Sequence, residues 1–196
     1  MSDENAREVA SAFIQRWRLR IGEVFNEPSN VEEILSKDLI KMPSAWLEDV
    51  EWGAIRRFAL INGDLNALWF DEQYARASVW GGITAPPLYI LGISLGMNWG
   101  SKAALESLGN GNICEVSLNG GTEFEFFEPM RPGDTISCQD KLADVYEKQG
   151  RRAKMIFIID ECTYTNQRGQ VVAISRCTAI LARDTKSGAS GGGRSE

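Results

Sequence analysis

The last third of the chain alternates apolar and polar residues with a period of two, and this pattern constrains the fold more than any other feature. Such alternation is typical of β-strands, whose side chains point in turn to the two faces of a sheet. Turn residues such as Pro, Gly and Asn separate the alternating segments, which indicates short antiparallel connections. The predicted strands are Glu123–Phe126, Thr135–Tyr146, Ala153–Tyr164 and Gln170–Ala182. The edges of such a sheet must be covered or paired, so we expect the chain to dimerise.

Helical patterns occupy the first half of the chain. Helices are predicted over residues 5–18, Val31–Leu39, Trp52–Ile61 and Asp71–Ala77. Apolar residues recur every four positions in the first helix. Ser29 and Glu32 form a capping box that opens the second helix, and Gly63 provides the stop signal of the third.

The segment Leu88–Trp99 is apolar on nearly every face. Periodicity alone leaves a buried helix and a buried strand both open. Its length and its entry through Pro86 and Pro87 favour a helix, because proline fits the first helical turn. The sequence therefore predicts an α+β fold in which a curved antiparallel sheet wraps around one apolar helix.

Composition limits the classes of function. The 196 residues carry 27 acidic against 21 basic side chains, a net charge of −6, which argues against nucleic-acid binding. The four cysteines share no C-x-x-C spacing, and the chain contains no histidine, so no zinc site is expected. The polar N-terminus is not a secretory signal, and no apolar run reaches the roughly 18 residues that a membrane span requires. We expect a cytoplasmic protein without nucleic-acid partners.

The lack of histidine matters most beside one short motif. Gly63-Asp64-x-Asn66 is followed by Trp69 and then by Ala85-Pro86-Pro87. Asn-Gly-Asp before an apolar segment is also ordinary turn chemistry, so Asp64 alone does not establish a site. Any chemistry at Asp64 would have to proceed without the usual proton carrier of neutral pH.

This motif resembles that of the MaoC-like hydratase and dehydratase family of hot-dog folds, whose pattern is Gly-Asp-x-Asn-Pro-x-His. In that family the Asp and His form a dyad that adds water to, or removes it from, an enoyl thioester. The stretch Gly121–Asp134 is similar to the family's second strand and turn. The resemblance covers about residues 50–183 and looks closest to the FAS1-like dehydratase branch. It implies an N-terminal helical extension over 1–50 and a hot-dog domain over 51–184. The Gly/Ser-rich composition of residues 185–196 predicts a disordered tail.

The departures from the family pattern bear on activity. Ala67 stands in place of the proline and Trp69 in place of the histidine. An indole only donates hydrogen bonds and cannot shuttle a proton. General acid–base assistance contributes about 10²- to 10⁴-fold, so half a dyad should leave little turnover in this chain alone. The two prolines, Pro86 and Pro87, also remove backbone donors where family enzymes polarise the thioester carbonyl, which leaves the Leu88 N–H as the remaining candidate donor.

The resemblance therefore implies the degenerate half of a paired enzyme. The expected partner is a homologous hot-dog subunit that carries the intact Gly-Asp-x-Asn-Pro-x-His motif. The expected substrate is a bulky 2-enoyl thioester of CoA or acyl carrier protein, with CoA as part of the substrate and with no further cofactor and no metal. Asp64 is the vestigial catalytic candidate, and the predicted substrate-binding residues are Asn66, Trp69, Trp80, Gly82, Ala85 and Leu88.

Three alternatives stay open. The chain could be a catalytically silent acyl-thioester-binding or scaffold protein. It could also be a self-sufficient hydratase in which Asp64 has an unrecognised partner. A thioesterase is disfavoured, because Leu88–Trp99 contains no Asp or Glu.

Overall fold

The computed structural model describes residues 11–12, 14–15, 18–22, 47–93, 116–150 and 154–182. The strands are β1 (Leu47–Asp49), β2 (Val116–Phe126), β3 (Thr135–Gln149), β4 (Lys154–Asn166) and β5 (Val171–Ala182). The α-helices are α1 (Trp52–Ile61), α2 (Glu72–Ala77) and α3 (Ile90–Ile93), and 3₁₀ turns span Ala67–Trp69 and Pro87–Tyr89. The result is the predicted α+β arrangement of a long antiparallel sheet with a few short helices.

The five strands form one antiparallel sheet in the order β1-β3-β4-β5-β2. The meander of β3, β4 and β5 confirms the predicted hairpins. The short connection from β2 to β3 does not form a hairpin, however, because β2 pairs with β5 at the far edge of the sheet. The reason is that β1 and β4 occupy both sides of β3, with Leu47 opposite Ser137 and Ile136 opposite Asn166. β1 lies before residue 51, so the sheet begins inside the segment predicted as the N-terminal extension.

One face of the sheet carries the core. Along β4 every second residue from Ile156 to Asn166 is buried, while the residues between them are partly exposed. This is the period of two that the sequence predicts. Ile55 from α1 and Ile90 from α3 pack into the same core and are fully buried. Full burial of a side chain of this size stabilises the fold by about 1.5–3 kcal/mol.

The opposite face of the sheet carries charges paired across strands. Glu161 on β4 accepts from Lys141 Nζ on β3 and from Arg176 Nε on β5, each at 2.7 Å. Glu125 on β2 lies 4.0 Å from Arg176 and extends the row. The hydrogen bond from Lys141 is the largest influence on Glu161 and lowers the pKa of its carboxyl group. These ion pairs join residues on neighbouring strands, and their partly exposed side chains show that this face of the sheet meets solvent.

Three of the four cysteines lie within the described residues, each on a strand of the sheet. Cys138, Cys162 and Cys177 lie on β3, β4 and β5 and are free thiols. A hydrogen bond with Cys138 is the largest influence on the Cys162 thiol and burial is the second, and together they raise its pKa far above the usual range. Cys162 therefore stays a neutral thiol at physiological pH. Cys114 lies outside the described residues.

The predicted helices before the sheet are confirmed where the structure describes them. α1 has the predicted bounds, and it stops where Gly63 takes a positive φ of 70°. α2 starts one residue after Asp71, whose carboxylate accepts from the backbone N–H groups of Gln73 and Tyr74. Of the segment Leu88–Trp99, the structure describes residues 88–93, which complete a 3₁₀ turn and form α3. Tyr89 and Ile90 are buried there, whereas Leu88 and Leu91 are about half exposed. The described turns of this segment thus bury one face only.

The N-terminal segment docks on β3. Residues 11–12, 14–15 and 18 have helical backbone, and Ile14 joins the core at 6% exposure. Arg18 Nε donates to Val145 O at 3.1 Å, and Gly22 N donates to Leu142 O at 2.7 Å. These bonds flank the irregularity of β3 between Leu142 and Asp144. The rest of the helix predicted over 5–18, the helix predicted over Val31–Leu39 and the tail 185–196 lie outside the described residues.

Candidate functional site

Asp64 is placed by the end of α1. The Gly63 N–H donates to Leu60 O at 3.1 Å, and the Asp64 N–H donates to Ala59 O at 2.9 Å, so the chain reverses directly after the helix. Asp64 Oδ1 then accepts from the Asn66 N–H at 3.1 Å and closes a second turn. Asp64 is thus a turn residue, and the turn holds its carboxylate at a fixed position, as a site residue would also require.

The second carboxylate oxygen of Asp64 faces Trp69. Trp69 Nε1 donates to Asp64 Oδ2 at 2.8 Å, and the indole is buried at 7% exposure. Asn66 accepts from the Leu68 N–H at 3.0 Å and so caps the 3₁₀ turn that carries Trp69. Trp69 O in turn accepts from Trp52 Nε1 at 3.0 Å. The two positions of the expected dyad are therefore in contact, but the group opposite the carboxylate can only donate.

A cleft of about 190 Å³ opens beside Trp69. Its walls come from the 3₁₀ turn after Asp64, from the loop after α2 and from the chain that leaves β2. The lining residues are Leu68, Trp69, Trp80, Thr84, Ala85, Pro87, Phe126, Phe127, Glu128, Pro129, Met130 and Val172. Small-molecule sites usually measure about 300–1,000 Å³ and are largely apolar. The cleft has the apolar character of such a site and less than its usual volume.

The structure brings half of the predicted binding residues together. Trp69, Trp80 and Ala85 line the cleft. Asn66 instead caps the 3₁₀ turn. Gly82, between Trp80 and Thr84 in sequence, and Leu88, directly after Pro87, are not among the residues that line the cleft.

The run Phe126–Met130 is a wall of the cleft that the sequence analysis missed. The Ala85 N–H donates to Met130 O at 2.8 Å and ties this run to the opposite wall. The sequence offers one indication of this role: Phe126 is the last residue of the alternating strand β2, and the other four residues follow it directly.

Exposed apolar side chains are frequent in the segments that build the site. Leu65 in the Asp64 loop is 72% exposed, and Val79 beside Trp80 is 94% exposed. Ile61, Phe126 and Phe127 are also exposed. Apolar side chains exposed together on one surface mark interaction sites, so these residues are candidates for contact with another molecule.

Two absences concern the part of the chain that the structure describes. No group of three or more His, Cys, Asp or Glu side chains there is arranged to hold a metal ion. Among those same residues, no helix is long and apolar enough to cross a membrane.

The long antiparallel sheet and the loop that carries the Asp64 carboxylate are the features expected of a hot-dog protein of the MaoC-like dehydratase class. Residues 41–175 match the family described as "FAS1-like, dehydratase domain region". The chain belongs to this family of hydratases and dehydratases, as the motif around Asp64 predicts.

Similar proteins agree with this assignment. The chain is 27% identical over 189 residues to a probable enoyl-CoA hydratase alpha subunit from Thermomonospora curvata, covering 88% of this chain and 52% of that protein. The chain thus spans about half the length of that relative. A MaoC-like dehydratase from Rhodospirillum rubrum superposes with a TM-score of 0.51 at 25% identity, over 71% of this chain and 88% of the other. The ChsH1–ChsH2 complex from Mycobacterium tuberculosis gives a TM-score of 0.63 at 21% identity, over 80% and 96% of the two chains, which supports the fold.

Proposed function

We propose that this chain is the non-catalytic, acyl-pocket subunit of a heteromeric 2-enoyl thioester hydratase. The observation that carries the proposal is the 2.8 Å hydrogen bond from Trp69 Nε1 to Asp64 Oδ2. At the position of the family's dyad this bond joins a carboxylate to an indole, which cannot take up or release a proton at neutral pH. Hydration needs one group that removes a proton and one that supplies it, so a partner subunit would supply both.

The geometry of the cleft supports a shared site. Its 190 Å³ is smaller than most small-molecule sites, and a partner would add the missing wall. The exposed apolar residues Leu65, Val79 and Phe127 lie in or beside the segments that line the cleft. The ChsH1–ChsH2 neighbour is, by its description, a complex of two chains, and the enoyl-CoA hydratase relative is described as an alpha subunit.

The substrate that fits these walls is an apolar acyl thioester. Trp69, Trp80 and Phe126 offer flat aromatic surface, which suits a bulky or ring-bearing acyl group more than a short linear one. The carrier would be CoA or acyl carrier protein, and the reaction needs no further cofactor. The partner would be a hot-dog subunit with an intact Gly-Asp-x-Asn-Pro-x-His motif, and the pair would act in the cytoplasm.

A pull-down of the tagged full chain from its native host tests the pairing. We expect a second hot-dog protein with the intact motif to co-purify in a fixed ratio, as measured by native mass spectrometry. Recovery of the chain as a homo-oligomer that binds no such protein would contradict the proposal.

A silent acyl-thioester-binding protein is the second candidate. The observation that favours it is that the described walls of the cleft are mostly aromatic and apolar, with Thr84 and Glu128 as their polar side chains and no histidine, cysteine or lysine. It predicts binding of acyl-CoA with no hydration, even when the partner is present. Turnover by the pair would exclude it.

A further inference from the structure

Arg131 connects the two walls of the cleft. It follows Met130 on the chain that leaves β2, and its Nη2 donates to Trp80 O at 2.8 Å across 51 residues of sequence. A Cβ placed at Gly82 would lie 3.7 Å from Arg131 Nη1, so the guanidinium lies close to Gly82 as well as to Trp80. One side chain thus reaches from one wall of the cleft to the backbone that presents the other.

The backbone of Arg131 is itself fixed. Asp134 is buried, and its Oδ2 accepts from the Arg131 N–H at 2.9 Å. Its Oδ1 accepts from Arg168 Nη1 at 2.9 Å and from Gln167 Nε2 at 3.1 Å. Asp134 therefore anchors the base of Arg131 to the hairpin between β4 and β5, while its carboxylate is occupied by other donors. Within the described ranges, the guanidinium of Arg131 makes no ion pair.

The turn that carries Trp80 lies between two anchored residues, Ser78 at the end of α2 and Ala85 beside Met130. Its internal bonds are local: the Trp80 N–H donates to Ser78 Oγ at 3.2 Å, and the Gly81 N–H donates to Ser78 O at 3.1 Å. Gly81 has a positive φ of 67°, which allows the tight turn. Val79 and Trp80 are exposed at 94% and 45%. Local turns of this kind open readily unless a longer-range contact restrains them.

We propose that Arg131 is a positioning residue that sets the width of the acyl cleft by holding Trp80 against it. This inference rests on the proposed function for the nature of the ligand, a ring-bearing acyl thioester, but the contact between Arg131 and Trp80 can be tested without any turnover. In this account Arg131 touches neither the thioester nor the reacting atoms. It acts through Trp80, and it determines which acyl groups fit.

The first readout is the position of Trp80 in the full chain. Protein labelled with 5-fluorotryptophan gives one ¹⁹F resonance per indole, and Trp80→Phe assigns the signal of Trp80. We expect Arg131→Ala to shift and broaden that signal while the other resonances keep their positions. Arg76→Ala is the matched control, since that arginine is exposed and pairs with Glu72 within α2. Arg131→Lys keeps a donor of similar reach and should restore part of the wild-type signal.

The second readout is ligand preference. Phenylacetyl-CoA and butyryl-CoA are saturated at the bond that a hydratase would attack, so calorimetry gives a Kd for each without reaction. One extra or missing methylene group in an apolar pocket changes affinity by about 10- to 200-fold, so we expect Arg131→Ala to reduce the preference for phenylacetyl-CoA by about tenfold. Arg76→Ala should leave the preference unchanged.

The outcomes separate this inference from the proposed function. An unchanged Trp80 signal in Arg131→Ala overturns the inference whatever the activity of the chain. A loosened Trp80 with an unchanged ratio of Kd values, or a wild type with no preference for the ring, overturns its role in specificity. A shifted signal together with a reduced preference supports the inference even if no partner subunit ever confers hydration, a result that would count against the proposed function alone.

Discussion

Replacing Asp64 with Asn separates a structural carboxylate from a catalytic one. The carboxylate accepts two bonds, from the Asn66 N–H at 3.1 Å and from Trp69 Nε1 at 2.8 Å. An asparagine keeps one oxygen for Asn66 but turns an NH₂ group towards the indole N–H, so the bond to Trp69 is lost. A hydrogen bond to a charged group contributes about 1.5–3 kcal/mol, and partial exposure of Asp64 lets water replace some of it. We expect a loss of about 1–2 kcal/mol in the free energy of unfolding.

The expected effect on chemistry is small. If Asp64 only holds Trp69, the pair formed with the partner subunit should retain its hydration rate to within about threefold, whereas removal of a working acid or base costs about 10²- to 10⁴-fold. Stability is measured by urea unfolding of the full chain, and turnover by the loss of enoyl absorbance in the pair. Asp71→Asn is the control, because Asn caps a helix as well as Asp does and should cost little. A hundredfold loss of turnover in a folded Asp64→Asn pair would refute the reasoning.

The remaining predictions concern the packing and charges of the sheet and helices. Ile55→Ala should lower the unfolding free energy by about 2–5 kcal/mol in urea, since Ile55 is fully buried, while Ile61→Ala on the same helix should change it by less than about 0.5 kcal/mol. Gly120→Ala should cost about 1–3 kcal/mol by the same assay, because the new Cβ would meet side-chain atoms of β5 at 2.9 Å. The hydrogen bond from Lys141 lowers the pKa of Glu161 in the folded chain. The stabilisation from this bond is therefore complete above the unfolded pKa near 4.5 and is lost as pH falls from that value through the lower folded pKa. The urea midpoint of Glu161→Gln should accordingly fall less between pH 7 and pH 3 than that of wild type.

Local patterns predict the elements well because they depend on neighbours in sequence. α1 begins at Trp52 and ends at Ile61 as its periodicity and Gly63 indicate, and β4 keeps its alternation over its whole length. The pairing of β2 with β5 was not predictable in the same way. A period of two says which face a residue takes but not which strand lies beside it, and that choice depends on β1, a strand of three residues with no pattern of its own.

In the candidate site too, contacts between near neighbours in sequence are predictable and contacts between distant segments are not. Asp64 and Trp69 are five residues apart, so their contact follows from one loop, and the motif alone identifies it. The wall formed by Phe126–Met130 and the bond from Arg131 to Trp80 join segments about fifty residues apart. No periodicity or motif encodes such distances, so only the folded chain reveals them.

The most direct test of the central claim is the hydration rate of a ring-bearing 2-enoyl-CoA by the purified chain, alone and with an equimolar partner subunit. The claim is that this chain shapes the acyl pocket and has no proton carrier at Asp64, since Trp69 stands opposite it. We expect no rate above background for the chain alone, and turnover in the pair that disappears when the histidine of the partner's motif is replaced. Hydration by the chain alone, sensitive to Asp64→Asn, would contradict the claim and establish Asp64 as a working acid or base.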